Sequence, residues 1–181
     1  GSSLTLACSI FLELLATIRI TAVIHSTKQT SGQKSVLWRP PCTRTWSEAS
    51  PWKPDEYKLD SNGFWKFQGC EGLYFLDVDL ASLLSTLFAG GDVVEYGAGC
   101  GCYTAFLIDD AMVKSVQAFD GNPKIELITQ GLVSLGDMTE DLSNHVQVHD
   151  WTMCLEVGEH VPPEYEDMVL SNIVARTSRG V

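Results

Sequence analysis

Three glycines at alternate positions, Gly97, Gly99 and Gly101, follow the apolar run Asp92-Val-Val-Glu-Tyr96. The run reads as a short buried strand, and Tyr103–Ile108 beyond the glycines reads as the start of a helix. Glycines let the chain turn sharply at the end of a strand and bring backbone to places where a side chain would collide. A helix that begins there aims its unpaired N–H groups at whatever lies beyond the strand. The loop is therefore expected to bind a nucleotide-like cofactor. It does not fit the dinucleotide fingerprint G-x-G-x-x-G, because Cys102 stands where the third glycine belongs. That disfavours an NAD-binding oxidoreductase.

The downstream sequence extends the pattern. Ser115-Val-Gln-Ala-Phe-Asp120 reads as a second strand ending in a carboxylate. Asp120 lies about 20 residues past the glycines, the spacing at which an acid meets ribose hydroxyls in nucleotide-binding units. One carboxylate can accept from both hydroxyls. Leu132–Met138 reads as a third short strand carrying Asp137 at its end, and Asp150–Glu156 as a fourth. Leu76–Phe88 has Leu80, Leu83, Leu84 and Leu87 at helical spacing, and Gly90-Gly91 closes it. Pro163–Thr177 reads as a further helix, with Met168, Ile173 and Val174 as candidates for its buried side and Gly180 as its stop. Strands alternating with helices imply an α/β fold around a parallel sheet.

The pattern E-x-G-x-G-x-G, with Glu95 two residues before Gly97, resembles motif I of the class I S-adenosylmethionine (SAM) methyltransferases. Leu155-Glu-Val-Gly-Glu-His-Val-Pro162 resembles the segment after their fourth strand, and Asp120, Asp137 and Met138 stand in the family's order. The resemblance covers residues 72–181 and implies SAM as cofactor. It places Glu95, Gly97, Ala98, Gly99 and Gly101 under the methionine part and Asp120 on the ribose. Asp137 then accepts from the adenine amino group, Met138 lies against the ring, and Glu156 joins the cofactor contacts. It also implies a Rossmann-like sheet with helices on both faces. The family sheet has seven strands ordered 3-2-1-4-5-7-6. This chain is expected to supply the N-terminal half, 3-2-1-4, and to stop where a fifth strand begins. Strand four would then be an exposed apolar edge, which proteins avoid, so the chain reads as a fragment or short isoform.

Methyl transfer from a sulfonium is an in-line displacement in which the protein supplies alignment and a deprotonated nucleophile. Glu159 and His160 follow the fourth strand and are the candidate catalytic residues. An imidazole titrates near neutrality, which suits a general base. Glu156-x-x-Glu159-His160 further resembles an E-x-x-E-H arrangement of two methyltransferase groups, which act on small-RNA 3′ ends and in the ubiquinone pathway. That likeness implies a divalent metal such as Mg²⁺ on Glu156, Glu159 and His160. The competing reading is two ordinary loop carboxylates with His160 capping the loop. His145 and His149 read as surface or loop residues.

Charge narrows the substrate. Of a formal net charge of −11, residues 1–54 carry six Lys/Arg against two Asp/Glu, and residues 55–181 carry six against twenty-one. An acidic surface of this kind repels a phosphate backbone, although acidity also serves solubility. O- or N-methylation of a small molecule therefore ranks first, a protein side chain second and RNA third. A SAM-fold fragment without activity, acting as a binding module, is the alternative class. None of the six cysteines forms a C-x-x-C pair, which argues against zinc or a thioredoxin-like motif. Cys100 and Cys102 read as small residues tolerated in a tight turn.

Residues 4–24 are apolar except for Glu13 and Arg19, and they read as an apolar helix or a degraded signal-anchor. Cytoplasmic and membrane-anchored placements both stay open. Residues 25–71 read as an irregular linker or N-terminal extension that Trp38, Trp46 and Trp52 anchor to the domain.

Overall fold

A computed structural model of the chain describes residues 40–42, 58–70 and 75–181, all within one compact unit, Ser35–Val181. The apolar 4–24 segment and Trp38, Trp46 and Trp52 lie outside the described residues. Among the described residues, no helix is long and apolar enough to cross a membrane.

A small antiparallel hairpin, β1 (Lys58–Leu59) and β2 (Trp65–Lys66), comes first. Then follow α1 (Val78–Leu87), β3 (Asp92–Tyr96), α2 (Cys102–Asp110), β4 (Ser115–Asp120), α3 (Ile125–Ile128) and β5 (Ser134–Leu135). The chain continues through β6 (His149–Cys154), a 3₁₀ turn (Pro163–Tyr165), α4 (Glu166–Ala175) and β7 (Thr177–Gly180). The five later strands form one parallel sheet in the order β5-β4-β3-β6-β7. The molecule is α/β.

β3 is central and buried on both faces, which is why Val93, Val94 and Tyr96 are apolar. Alternate residues serve opposite faces. Val94 and Tyr96 pack with Phe119, Met138, Leu142, Val146 and Val169 of α4. Val93 packs the other way, with Leu84 and Phe88 of the α1 region, Leu107 of α2 and Met153 of β6. Helices thus cover both faces. The start of α1 is fixed by Asp77, whose carboxylate accepts the Leu80 N–H at 3.0 Å.

The structure corrects several sequence expectations. The sheet does not stop at four strands, because β7 pairs with β6 through His149↔Thr177 and Trp151↔Gly180. The sequence pattern predicts instead a helix that runs to Thr177 and stops at Gly180. Thr-Ser-Arg-Gly has no apolar residue to signal a strand, and side-chain contacts help hold it. The Thr177 hydroxyl donates to the Asp150 carbonyl at 3.3 Å, and Arg179 pairs with the Asp150 carboxylate at 3.2 Å. In α4 the buried residues are Val169 and Asn172, whereas Val174 is 64% exposed and Met168 lies at the surface. In α1, Ala81 and Ser85 share the buried face with Leu84, and Leu87 faces out. His149 is buried on β6, its Nδ1 2.8 Å from the Gln147 carbonyl oxygen.

The cysteines are the largest correction. Cys42 is bonded to Cys102 and Cys70 to Cys100, with Cα separations of 6.0 and 5.9 Å. Both partners in the glycine loop are therefore cross-linked, while Cys154 retains its thiol.

Asn172 joins α4 to the segment after β5. Its amide donates to the carbonyls of Met138 (2.9 Å) and Glu140 (2.8 Å), and its oxygen accepts the Leu142 N–H at 3.0 Å. Asn172→Leu strands these backbone groups away from water. Chemical denaturation should show a loss of about 2–4 kcal/mol. A change at exposed Leu170 to Asn should cost under ~0.5 kcal/mol.

Candidate functional site

A cavity of about 630 Å³ opens at the carboxyl ends of the central strands. Its walls come from the loops after four of them: Gly97 and Ala98 after β3, Gly121 after β4, Asp137–Thr139 after β5, and Leu155–Val157 after β6. β3 has β4 on one side and β6 on the other, so successive connections leave it in opposite directions. Loops separate at such a reversal, and ligands of open α/β sheets bind in the crevice that results.

The glycine loop is held by one carboxylate. Asp120 Oδ2 accepts the Gly99 N–H and its Oδ1 accepts the Asn122 N–H, both at 2.8 Å. Ala98 donates to the Phe119 carbonyl at 3.0 Å, and Gly101 to the Ala98 carbonyl at 2.8 Å. All three glycines sit in left-handed backbone, with φ of 70°, 53° and 71°. Gly97 has a second constraint, since a Cβ there would run into Val157 of the loop after β6. The sequence leads one to expect the glycine backbone against a ligand and the N–H groups of the following helix aimed at it. In the structure the N–H groups of Gly99 and Gly101 are committed within the protein, and only Gly97 and Ala98 of the loop line the cavity. A Cβ at Gly101 would meet Leu132 and Val133 of the core instead.

Of the other sequence-predicted residues, Glu95, Asp120, Asp137, Met138, Glu156 and His160 line the cavity. Glu159 does not. It is half exposed, its carboxylate 3.7 Å from His160 Nε2. Among the described residues no three His, Cys, Asp or Glu side chains are grouped to hold a metal ion, so Glu156, Glu159 and His160 are not gathered as ligands. Glu156 adopts φ 55°, a left-handed conformation that costs a non-glycine residue about 1–2 kcal/mol.

Sequence reasoning missed one wall. The tip of the β1–β2 hairpin, Asn62 to Trp65, reaches over the strand ends. The Asn62 amide donates to Asp137 Oδ2 at 2.9 Å. Phe64 packs on Gly121, where a Cβ would come within 2.7 Å of it. Gly63 (φ 90°) lies against the His160 carbonyl, and Trp65 meets the His160 ring edge-on at 5.3 Å. The signal was the turn sequence Asp60-Ser-Asn-Gly63 between two short strands.

The electrostatics are one-sided. Asp77, Glu95, Asp120, Asp137 and Glu156 face the cavity, and no Lys or Arg is among the described residues that line it. Glu95 is fully enclosed. Burial pushes its pKa up to about 7, against the pull of the Thr104 hydroxyl that donates to it, with nearby Asp120 adding to the rise. Burial also raises Asp120, although the Asn122 and Gly99 N–H groups oppose the shift. Such a cavity suits a ligand that brings positive charge and hydroxyl donors.

Compared with models of known protein families and with curated protein sequences, the chain finds no match.

The Glu95 shift has a testable sign. Its folded pKa of about 7 lies above the ordinary 4.5. Its contribution to stability is therefore complete at or below pH 4.5 and is lost as pH rises to about 7. Glu95→Gln keeps the shape and removes the titration. The stability of the parent minus that of Glu95→Gln, from urea melts, should fall by roughly 3 kcal/mol across that interval.

Proposed function

We propose that the protein is a SAM-dependent methyltransferase that methylates an oxygen or nitrogen nucleophile of a small molecule or a protein side chain. The observation that carries this reading is the cavity itself. Eight residues of the family-like motifs, Glu95, Gly97, Ala98, Asp120, Asp137, Met138, Glu156 and His160, converge there from four separate segments, and five carboxylates face it without a lining Lys or Arg. The sulfonium and ammonium of SAM bring the positive charge that this wall lacks. A dinucleotide would bring a pyrophosphate against five carboxylates. The parallel order β5-β4-β3-β6-β7 supports the same reading.

The residues present fit this cofactor. Asp120 would receive the ribose hydroxyls through lone pairs left after its two backbone bonds. Glu95 would face the charged end, and Asp137 and Met138 the base. When bound, SAM supplies the electrophilic methyl group. The chain's part is to align the acceptor and take its proton, and His160 on the cavity wall is the group for that. Glu159, 3.7 Å from the imidazole, would stabilise it once protonated. A metal set does not fit the described residues.

Isothermal calorimetry with SAM, S-adenosylhomocysteine and NAD tests the reading. Binding of the first two but not NAD is expected, and Asp120→Asn should weaken SAM by at least tenfold. NAD binding without a response to SAM would overturn the proposal. His160→Ala should bind SAM like the parent while turnover falls by about 10²–10⁴. SAM binding by the parent without transfer to any metabolite, protein or RNA pool would favour the binding-module alternative.

A further inference from the structure

The two disulfides converge on one turn. Cys100 and Cys102 flank Gly101, next to the part of the loop that lines the cavity, and Cys102 lines the cavity itself. Their partners, Cys42 and Cys70, lie on either side of the 58–66 hairpin in sequence, 60 and 30 residues from the loop. The hairpin is the wall that strand pairing alone would not supply, because its two strands pair only with each other. Among the described residues its non-covalent holds include Asn62 on Asp137, Gly63 and Trp65 on His160, Phe64 on Gly121, and Phe67, which is buried in a core cluster with Ala98, Ala118 and Ile125. Just behind it, the Asn122 amide donates to the Phe67 carbonyl at 3.1 Å and Lys124 to the Gln68 side chain at 2.8 Å. Cys70 then fastens this stretch to the floor.

We propose that the Cys42–Cys102 and Cys70–Cys100 disulfides are a redox-dependent anchor for the hairpin roof of the ligand cavity. The protein is thus built to bind its ligand in an oxidising compartment and to lose affinity when a dithiol reductant opens the pair. The identity of the ligand as SAM rests on the reading above. The anchor itself does not.

The chemistry balances simply. Each disulfide takes up two electrons and two protons and leaves two thiols, and the dithiol closes to its own disulfide. The roof then relies on its hydrogen bonds, its aromatic contacts and the burial of Phe67. The sheet does not depend on the anchor, because β3, β4 and β6 are held by their ladders and by apolar packing on both faces. Reduction should therefore loosen the roof before the floor. Disulfides of this kind persist in secretory and extracellular settings and are rare in the reducing cytosol.

The test uses protein produced through an oxidising secretory host, followed by dithiothreitol. Peptide mapping without reductant should recover 42–102 and 70–100 as the linked pairs. On full reduction, amide hydrogen exchange of residues 59–67 should accelerate at least tenfold while β3 and β4 keep their protection. SAM affinity by calorimetry should fall at least tenfold, and reoxidation should restore both. The double variant Cys70→Ser/Cys100→Ser should reproduce most of the roof effect without reductant. Unlinked thiols at these four positions in the secreted protein would overturn the proposal. So would unchanged exchange in 59–67 after reduction, or equal loss of protection in β3 and β4, which would make the bonds general staples. If the oxidised protein does not bind SAM, the cofactor reading fails, and the exchange arm still decides the anchor.

Discussion

Asp120 holds the site together. It ends β4, is buried, and divides its carboxylate between the Gly99 N–H on one side and the Asn122 N–H on the other. The first bond fixes the glycine turn that β3 feeds into. The second fixes Asn122, whose own amide reaches the Phe67 carbonyl behind the hairpin. One side chain thus links the floor of the cavity, the end of a central strand and the base of its roof. Charge-assisted hydrogen bonds to backbone N–H groups are about twice as strong as neutral ones, and these are shielded from water. Burial nonetheless pushes the carboxyl's pKa upward, against the pull of the two N–H groups.

The rest of the site is built outward from that point. The sheet's order reversal opens a crevice between the loops after β3 and β6. Gly97 admits Val157 into contact with the turn, so the loop carrying Glu156 and leading to His160 sits close against the floor. The hairpin tip then touches the loops after β4, β5 and β6 at once. Each contact is small, and the two disulfides make the geometry permanent while they are intact.

The strands Asp92–Tyr96 and Ser115–Asp120 were legible in the sequence because each carries a buried run, Val93–Tyr96 and Ala118–Asp120, and because glycine or acid punctuates their ends. The residues that converge on the cavity were legible for the same reason, since motif spacing along the chain maps onto strand ends in the sheet. β7 was not legible. Thr177–Gly180 carries no apolar pattern, and its place depends on Asp150, 27 residues earlier. The buried face of α4 was legible only in part: Ile173 packs against the core, but Asn172, a polar residue, is inside, stapled by three hydrogen bonds, while Met168 and Val174 point outward. The cysteine pairing could not be read from spacing, because partners 30 and 60 residues apart carry no local signature. Gly99 was assigned to the ligand and proved to serve Asp120.

The central claim is that a SAM-like ligand occupies the cavity at the carboxyl ends of β3, β4, β5 and β6. A crystal structure of the oxidised protein grown with S-adenosylhomocysteine tests it most directly. The account predicts ligand density inside the cavity, with the ribose at Asp120, the base beside Asp137 and Met138, and the Asn62 to Trp65 hairpin closed above it. A cavity left empty at saturating ligand, or a nucleoside bound elsewhere on the surface, would contradict it.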